Sequence, residues 1–142
     1  MRDWRNVAAI VPAGGRGKRL GSRKPKPLVE LERTPLWAHT LRNIREAFPS
    51  TRIIMPVDPR IEKRVLAFLR RKPISNVTLV HGGQTRAESV FNAFEHLKPD
   101  EEWVLIHDVA RPFASKAAMH QTLRMAQKRG AAICAEKVSA TS

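Results

Sequence analysis

Val7-Ala-Ala-Ile-Val-Pro-Ala-Gly-Gly-Arg-Gly-Lys-Arg19 is the stretch whose reading decides the fold. The run from Val7 to Val11 is apolar, short, and stopped by Pro12 and glycines, which is how a buried parallel strand reads. Glycine lets backbone N–H groups approach phosphate oxygens closely. Arg16, Lys18, Arg19, Arg23, Lys24 and Lys26 bring cations to the same loop. Two common phosphate motifs fail here: a G-x-G-x-x-G begun at Gly15 and Gly17 meets Leu20, and a Walker A needs Ser or Thr where Arg19 stands. The stretch predicts a first strand feeding a cationic phosphate-binding loop. A solvated basic loop is the alternative.

Downstream, the pattern alternates. Leu36, Trp37, Leu41, Ile44, Ala47 and Phe48, with Thr40 in part, recur at helical spacing until Pro49-Ser50 ends them. Arg52 to Val57 reads as a second strand, and Ile61, Val65, Leu66, Phe68 and Leu69 mark one face of a second helix. Val77 to Val80 is a third strand, and Val90, Ala93, Phe94 and Leu97 mark a third helix. Trp103 to Ile106 is a fourth strand ending at His107-Asp108. A last helix near Lys116 to Arg129 ends at Gly130, and Ala131 to Ala135 reads as a fifth strand. Such alternation predicts an α/β doubly wound, mainly parallel sheet of about five strands with helices on both faces. Ligands bind such sheets at the carboxyl ends of the strands. The loops at those ends are Ala13 to Arg19, Gly82 to Ser89 and Asp108 to Pro112.

The 142 residues have room for one hydrophobic core, so a single domain over 1–142 is expected. No apolar run approaches the roughly 20 residues of a membrane span, so no membrane partner is expected. Cys134 is the only cysteine, which rules out an internal disulfide and fits a reducing cytoplasm. The net charge of +13 favours anionic ligands without choosing among them. The five histidines show no metal-ligand spacing and no order suited to a hydrolytic triad.

Pro12 to Arg19 with Pro25-Lys26, then Gly82-Gly-Gln-Thr-Arg86 with Ser89-Val90, then His107-Asp-Val-Ala-Arg-Pro112, in this order, resembles the 2-C-methyl-D-erythritol 4-phosphate cytidylyltransferase family. The resemblance runs from about Val7 to the C-terminus and implies a Rossmann-like nucleotidyltransferase of the non-mevalonate isoprenoid pathway. In its reaction, the acceptor phosphate attacks the α-phosphorus of CTP to give CDP-methylerythritol and pyrophosphate. Arg19 and Lys26 match the catalytic cations, which neutralise charge on the α-phosphate in the transition state. Ala13, Gly14, Gly15, Gly82, Gln84 and Ser89 fall at nucleotide-binding positions, with Gly82 and Ser89 at the cytosine and Gln84 standing where some relatives have an acidic residue that reaches the ribose. Asp108 matches the aspartate near the triphosphate and its Mg²⁺, with a turn or capping aspartate as the structural alternative. Arg86 and Arg111 fall in the matching motifs as supporting residues, and Thr141 falls at an acceptor-binding position.

The sequence departs from the family in places. Gly14 stands where many relatives have alanine, and Lys137 and Ala140 replace a proline and an aspartate before Thr141. The family is homodimeric, and its dimerising arm has no counterpart in these residues. The sequence reading is therefore of an incomplete domain that binds nucleotide with reduced turnover. A cytidylyltransferase acting on ribitol 5-phosphate or a related sugar-alcohol phosphate is the near alternative. A basic nucleic-acid-binding domain, or a non-catalytic nucleotide-binding domain, is the alternative of another class. Nucleic acid is not expected as a partner, because Trp4, Trp37 and Trp103 are scattered and tyrosine is absent.

Overall fold

The computed structural model describes residues 4–13 and 28–132. Four strands form one parallel sheet: β1 (Val7–Ile10), β4 (Arg52–Val57), β5 (Val77–His81) and β6 (Trp103–Ile106). Their spatial order is β5-β4-β1-β6. β1 is fully buried, as its continuous apolar run requires of a strand covered on both faces.

Four helices cover the sheet: α1 (Leu36–Ala47), α2 (Glu62–Arg71), α3 (Arg86–Phe94) and α4 (Lys116–Arg129). The two-residue period of the strands sorts their side chains between the faces. Val7, Ala9 and Val11 pack with Trp37, Leu41 and Ile44 of α1, Val65 and Phe68 of α2, and Met119 and Leu123 of α4. Ile10, Ile54 and Val80 meet Ala93 of α3 on the other face. Helices thus lie on both faces, as the alternation predicts.

The strand and helix positions follow the sequence reading closely, with three differences. Leu66 and Phe94 are exposed, because α2 packs through Val65 and Phe68 and α3 through Ala93, which leaves their neighbours outside the contact stripe. A short antiparallel hairpin, β2 (Glu30–Leu31) with β3 (Thr34–Pro35), precedes α1. Its turn residues Glu32 and Arg33 have φ of 54° and 65°, the backbone of a turn usually marked by Asn-Gly, so the residue types carried no signal. Of the expected fifth strand, Ala131 and Ala132 carry no strand, and the rest lies outside the described residues.

Caps and ties fix the helix ends. Ser115 Oγ accepts from Ala118 N at the start of α4, and Gly130 closes it with φ of 91° in the left-handed region. Arg45 donates from Nη1 to the Phe48 and Thr51 carbonyls and from Nη2 to the Ser75 and Asn76 carbonyls, tying the end of α1 to the loop before β5. Burial lowers its pKa from the ordinary arginine value. Arg52 makes a two-point bond to Glu101, at 3.0 and 2.6 Å, joining β4 to the segment before β6. That bond holds the Glu101 carboxyl below the usual carboxylate range, against an opposing effect of burial.

Candidate nucleotide-binding site

Three loops leave the carboxyl ends of the strands, and backbone pairing brings them together. Ala13 N donates to Pro56 O at 2.9 Å, and Gly82 N donates to Val57 O at 2.8 Å. The end of β4 therefore carries both the start of the glycine-rich loop and the turn after β5. On the other side, His107 N donates to Ile10 O at 2.9 Å, which seats the loop after β6 beside the end of β1. From β5 to β6 these ends span three strand spacings, about 14 Å. The chain also leaves β1 toward β4 and β5 and later returns to β6, so the switch point of the sheet falls between β1 and β6, where such folds bind ligands.

The turn from Gly82 to Thr85 is held against the start of α3 by reciprocal bonds. Glu88 N donates to Thr85 Oγ1 at 3.1 Å, and Gln84 N donates to Glu88 Oε2 at 2.8 Å. This is a capping box displaced by one residue, and it satisfies N–H groups that the helix itself leaves open. Gly83 N donates to the Ser89 hydroxyl at 3.0 Å, and Ser89 is fully buried beneath the turn. A Cβ at position 83 would lie 2.3 Å from Glu88 Cβ, so only glycine allows this approach. Gly83, Thr85 and Glu88 shape the turn without having stood out as site residues in the sequence. The S/T-x-x-E spacing of Thr85 and Glu88 was the available signal.

Asp108 is exposed at the end of β6, and its Oδ1 accepts from Ala110 N at 2.9 Å. It is thus a turn aspartate, as the structural alternative had it. Its Oδ2 has no hydrogen bond among the described residues. One oxygen shapes the loop while the other can serve a cation. The described residues contain no cluster of three or more His, Cys, Asp or Glu able to hold a metal. A single carboxylate suits Mg²⁺, which keeps waters and takes its remaining ligands from substrate phosphates. The chemistry of Asp108 therefore fits that ion only together with a bound triphosphate.

Of the residues singled out in the sequence, the structure brings together Ala13, Gly82, Gln84, Ser89 and Asp108 at one end of the sheet. Arg86, the first residue of α3, and Arg111 are exposed at the same end, and neither forms an ion pair among the described residues. Gly14, Gly15, Arg19, Lys26 and Thr141 lie outside the described residues. A cavity of about 380 Å³ lined by Glu62, His81, Asn92 and His96 lies beside β5, and none of the loop residues just named lines it. No helix among the described residues is long and apolar enough to cross a membrane.

The profile of the 2-C-methyl-D-erythritol 4-phosphate cytidylyltransferase family matches residues 7–142. An enzyme of that name from Geobacillus kaustophilus is 40% identical over 137 residues, covering 96% of this chain and 60% of the relative. One from Bacillus cytotoxicus is 36% identical over 133 residues, covering 93% and 58%. The crystal structure of 4-diphosphocytidyl-2C-methyl-D-erythritol synthase from Anaerococcus prevotii superposes with a TM-score of 0.74 at 28% identity, covering 89% of this chain and 53% of that one. The chain thus spans rather less than two thirds of the length of these relatives.

Proposed function

Because the chain belongs to the 2-C-methyl-D-erythritol 4-phosphate cytidylyltransferase family, we propose that it supplies the nucleotide half of a cytidylyltransferase site, binding CTP for transfer to a sugar-alcohol phosphate, 2-C-methyl-D-erythritol 4-phosphate. The observation that carries this reading is the convergence of three loops at one sheet end, with Ala13 and Gly82 on adjacent carbonyls of β4 and Asp108 beyond β1. The base would lie over the Gly82–Ser89 turn, whose backbone is fixed before any ligand arrives. The triphosphate would run along the end of β1 toward Asp108.

In the proposed reaction an oxygen of the acceptor phosphate attacks the α-phosphorus of CTP. The bond from the α-phosphorus to the bridging oxygen breaks, and pyrophosphate leaves with that electron pair. No protein nucleophile is needed, so the residues act by positioning and charge neutralisation. Arg19 and Lys26 would face the charge on the α-phosphate, and Asp108 would hold Mg²⁺, which when bound neutralises phosphate oxygens. Fixed donors and acceptors around the base would separate cytosine, whose exocyclic group donates, from uracil, whose group accepts.

Calorimetry on this chain tests the reading. CTP with Mg²⁺ should bind more tightly than UTP or ATP by about tenfold or more, the worth of one net hydrogen bond. Equal affinity for the three nucleotides would refute it. A second reading, nucleic-acid binding, is favoured by Lys63, Arg64, Arg70 and Arg71, all exposed along α2. It lacks aromatic stacking there, since Trp37 and Phe68 are buried in the core. Duplex DNA in the same titration decides it: DNA binding without CTP binding would replace the first reading.

A further inference from the structure

Thr40 stands in the apolar face of α1 and is fully buried. A hydroxyl placed there costs free energy unless it is bonded. The ordinary outlet for a helical threonine is the carbonyl four residues back, and Thr40 Oγ1 does lie 3.2 Å from Leu36 O. It lies closer, at 2.6 Å, to Val109 O in the loop after β6. A hydroxyl has one proton to donate, so the shorter contact takes it. One turn further along α1, Asn43 Nδ2 donates to Ala114 O at 2.8 Å. Within the loop, His107 Nε2 contacts Arg111 O at 2.9 Å, and since a carbonyl only accepts, this nitrogen carries the proton.

The carbonyls of residues 109, 111 and 114 are thus each held by a side chain, two of them from a rigid helix on the core face of the sheet. Asp108 lies inside this clamp: its carbonyl accepts from Arg111 N at 3.1 Å and its Oδ1 from Ala110 N at 2.9 Å. Of the carbonyls held by side chains, the nearest in the chain is that of Val109, the adjoining residue. A requirement to satisfy a buried carbonyl explains why Val109 O has a partner. That requirement does not call for a donor from α1, which fixes the loop in position relative to the sheet.

We propose that Thr40 is a positioning residue of the nucleotide site: through Val109 it sets the Asp108 carboxylate where it can hold the cation of a metal-bound triphosphate. The inference rests on the functional reading given above, and it assigns Thr40 no contact with substrate. Its effect is on the orientation of Asp108 and therefore on the part of nucleotide affinity that depends on Mg²⁺.

The test is CTP titration of the whole chain with Mg²⁺ and with a chelator, for the native protein, Thr40→Val, Thr40→Ser, Thr40→Cys and Asp108→Asn. Valine keeps the shape of threonine and removes the donor. It should lose about tenfold of the affinity gained from Mg²⁺, the equivalent of one strong hydrogen bond, while metal-free binding stays within about twofold. Serine restores the donor and should stay within about twofold of the native protein in both conditions. Cysteine keeps only a weak donor and should fall between them, and it carries the test where Thr40→Val does not fold. A purely structural role would lower the melting temperature and leave the Mg²⁺ dependence intact. If Asp108→Asn loses the Mg²⁺ gain and the valine and cysteine variants keep it, the positioning role is overturned. If the native chain binds no CTP in either condition, the functional reading fails and this inference falls with it.

Discussion

Gly83→Ala probes the turn that the proposed function assigns to the base. The added Cβ would sit 2.3 Å from Glu88 Cβ and 2.8 Å from Glu88 Oε2. The carboxylate could swing away by changing rotamer, but Glu88 Cβ is fixed to the backbone of α3. Carbon atoms rest about 3.5 to 4.0 Å apart, so the turn must move by more than about 1 Å. A shift of that size breaks Gly83 N to Ser89 Oγ and Gln84 N to Glu88 Oε2. The two bonds together stabilise by about 2 to 3 kcal/mol, with the second discounted for its exposure. At about 4 °C per kcal/mol for a domain of this size, the melting temperature should fall by about 8 to 12 °C.

Glu88→Gly supplies the control. Alone it should cost about 1 to 2 kcal/mol through the lost bond to Gln84 N and the entropy of a helical glycine. In the double variant no Cβ remains at 88, and the one close contact left, 3.2 Å to the backbone carbon of residue 88, needs a shift of only a few tenths of an ångström, so alanine at 83 should add much less than it costs alone. The cycle should show a coupling of about 2 kcal/mol between positions that are five apart in sequence. Thermal unfolding by circular dichroism measures all four proteins, and CTP titration follows the same ranking. Additive costs to within about 0.5 kcal/mol would refute the claim that the Gly83 to Glu88 approach builds this turn.

Replacing Arg45 by methionine leaves the carbonyls of Phe48, Thr51, Ser75 and Asn76 short of donors. Unfolding in urea should show a loss of about 3 kcal/mol, and lysine should rescue little because one ammonium cannot reach both pairs. Glu101 has a folded-state pKa depressed by its bond to Arg52. Its contribution is therefore complete above the unfolded glutamate value of about 4.3 and is lost as pH falls through the lower folded value. Denaturation midpoints measured from pH 6 to pH 3 should decline less steeply in Glu101→Gln than in the native chain. Gly130→Ala meets no atom within 4 Å, yet φ there is 91°. Its cost, about 1 kcal/mol, should come from backbone strain alone and appear as a fall of about 4 °C in melting temperature.

The strands were legible because each is a short apolar run bounded by turn residues. Most of the helices were legible because residues such as Trp37, Leu41 and Ile44, or Val65 and Phe68, recur at helical spacing, and the last because Gly130 closes it. The hairpin before α1 was not legible. Glu32 and Arg33 adopt left-handed backbone without the residue types that advertise it. Thr40 shows the same limit at the site. Its sequence neighbours make it one partly apolar position of a helix, while its bonding partner lies 69 residues away.

The sequence by itself determined the alternation of strands and helices, the order of the three loop motifs and the family they resemble, because period, glycine placement and motif spacing are local properties of the chain. Only the tertiary structure decided that β1 lies between β4 and β6 and that Ala13 and Gly82 share the end of β4. It also decided that α1 reaches across to hold the loop of Asp108. Those facts depend on which distant segments pair and pack. That choice is made by burying both faces of the sheet at once, a condition on the whole fold that no single window of residues records.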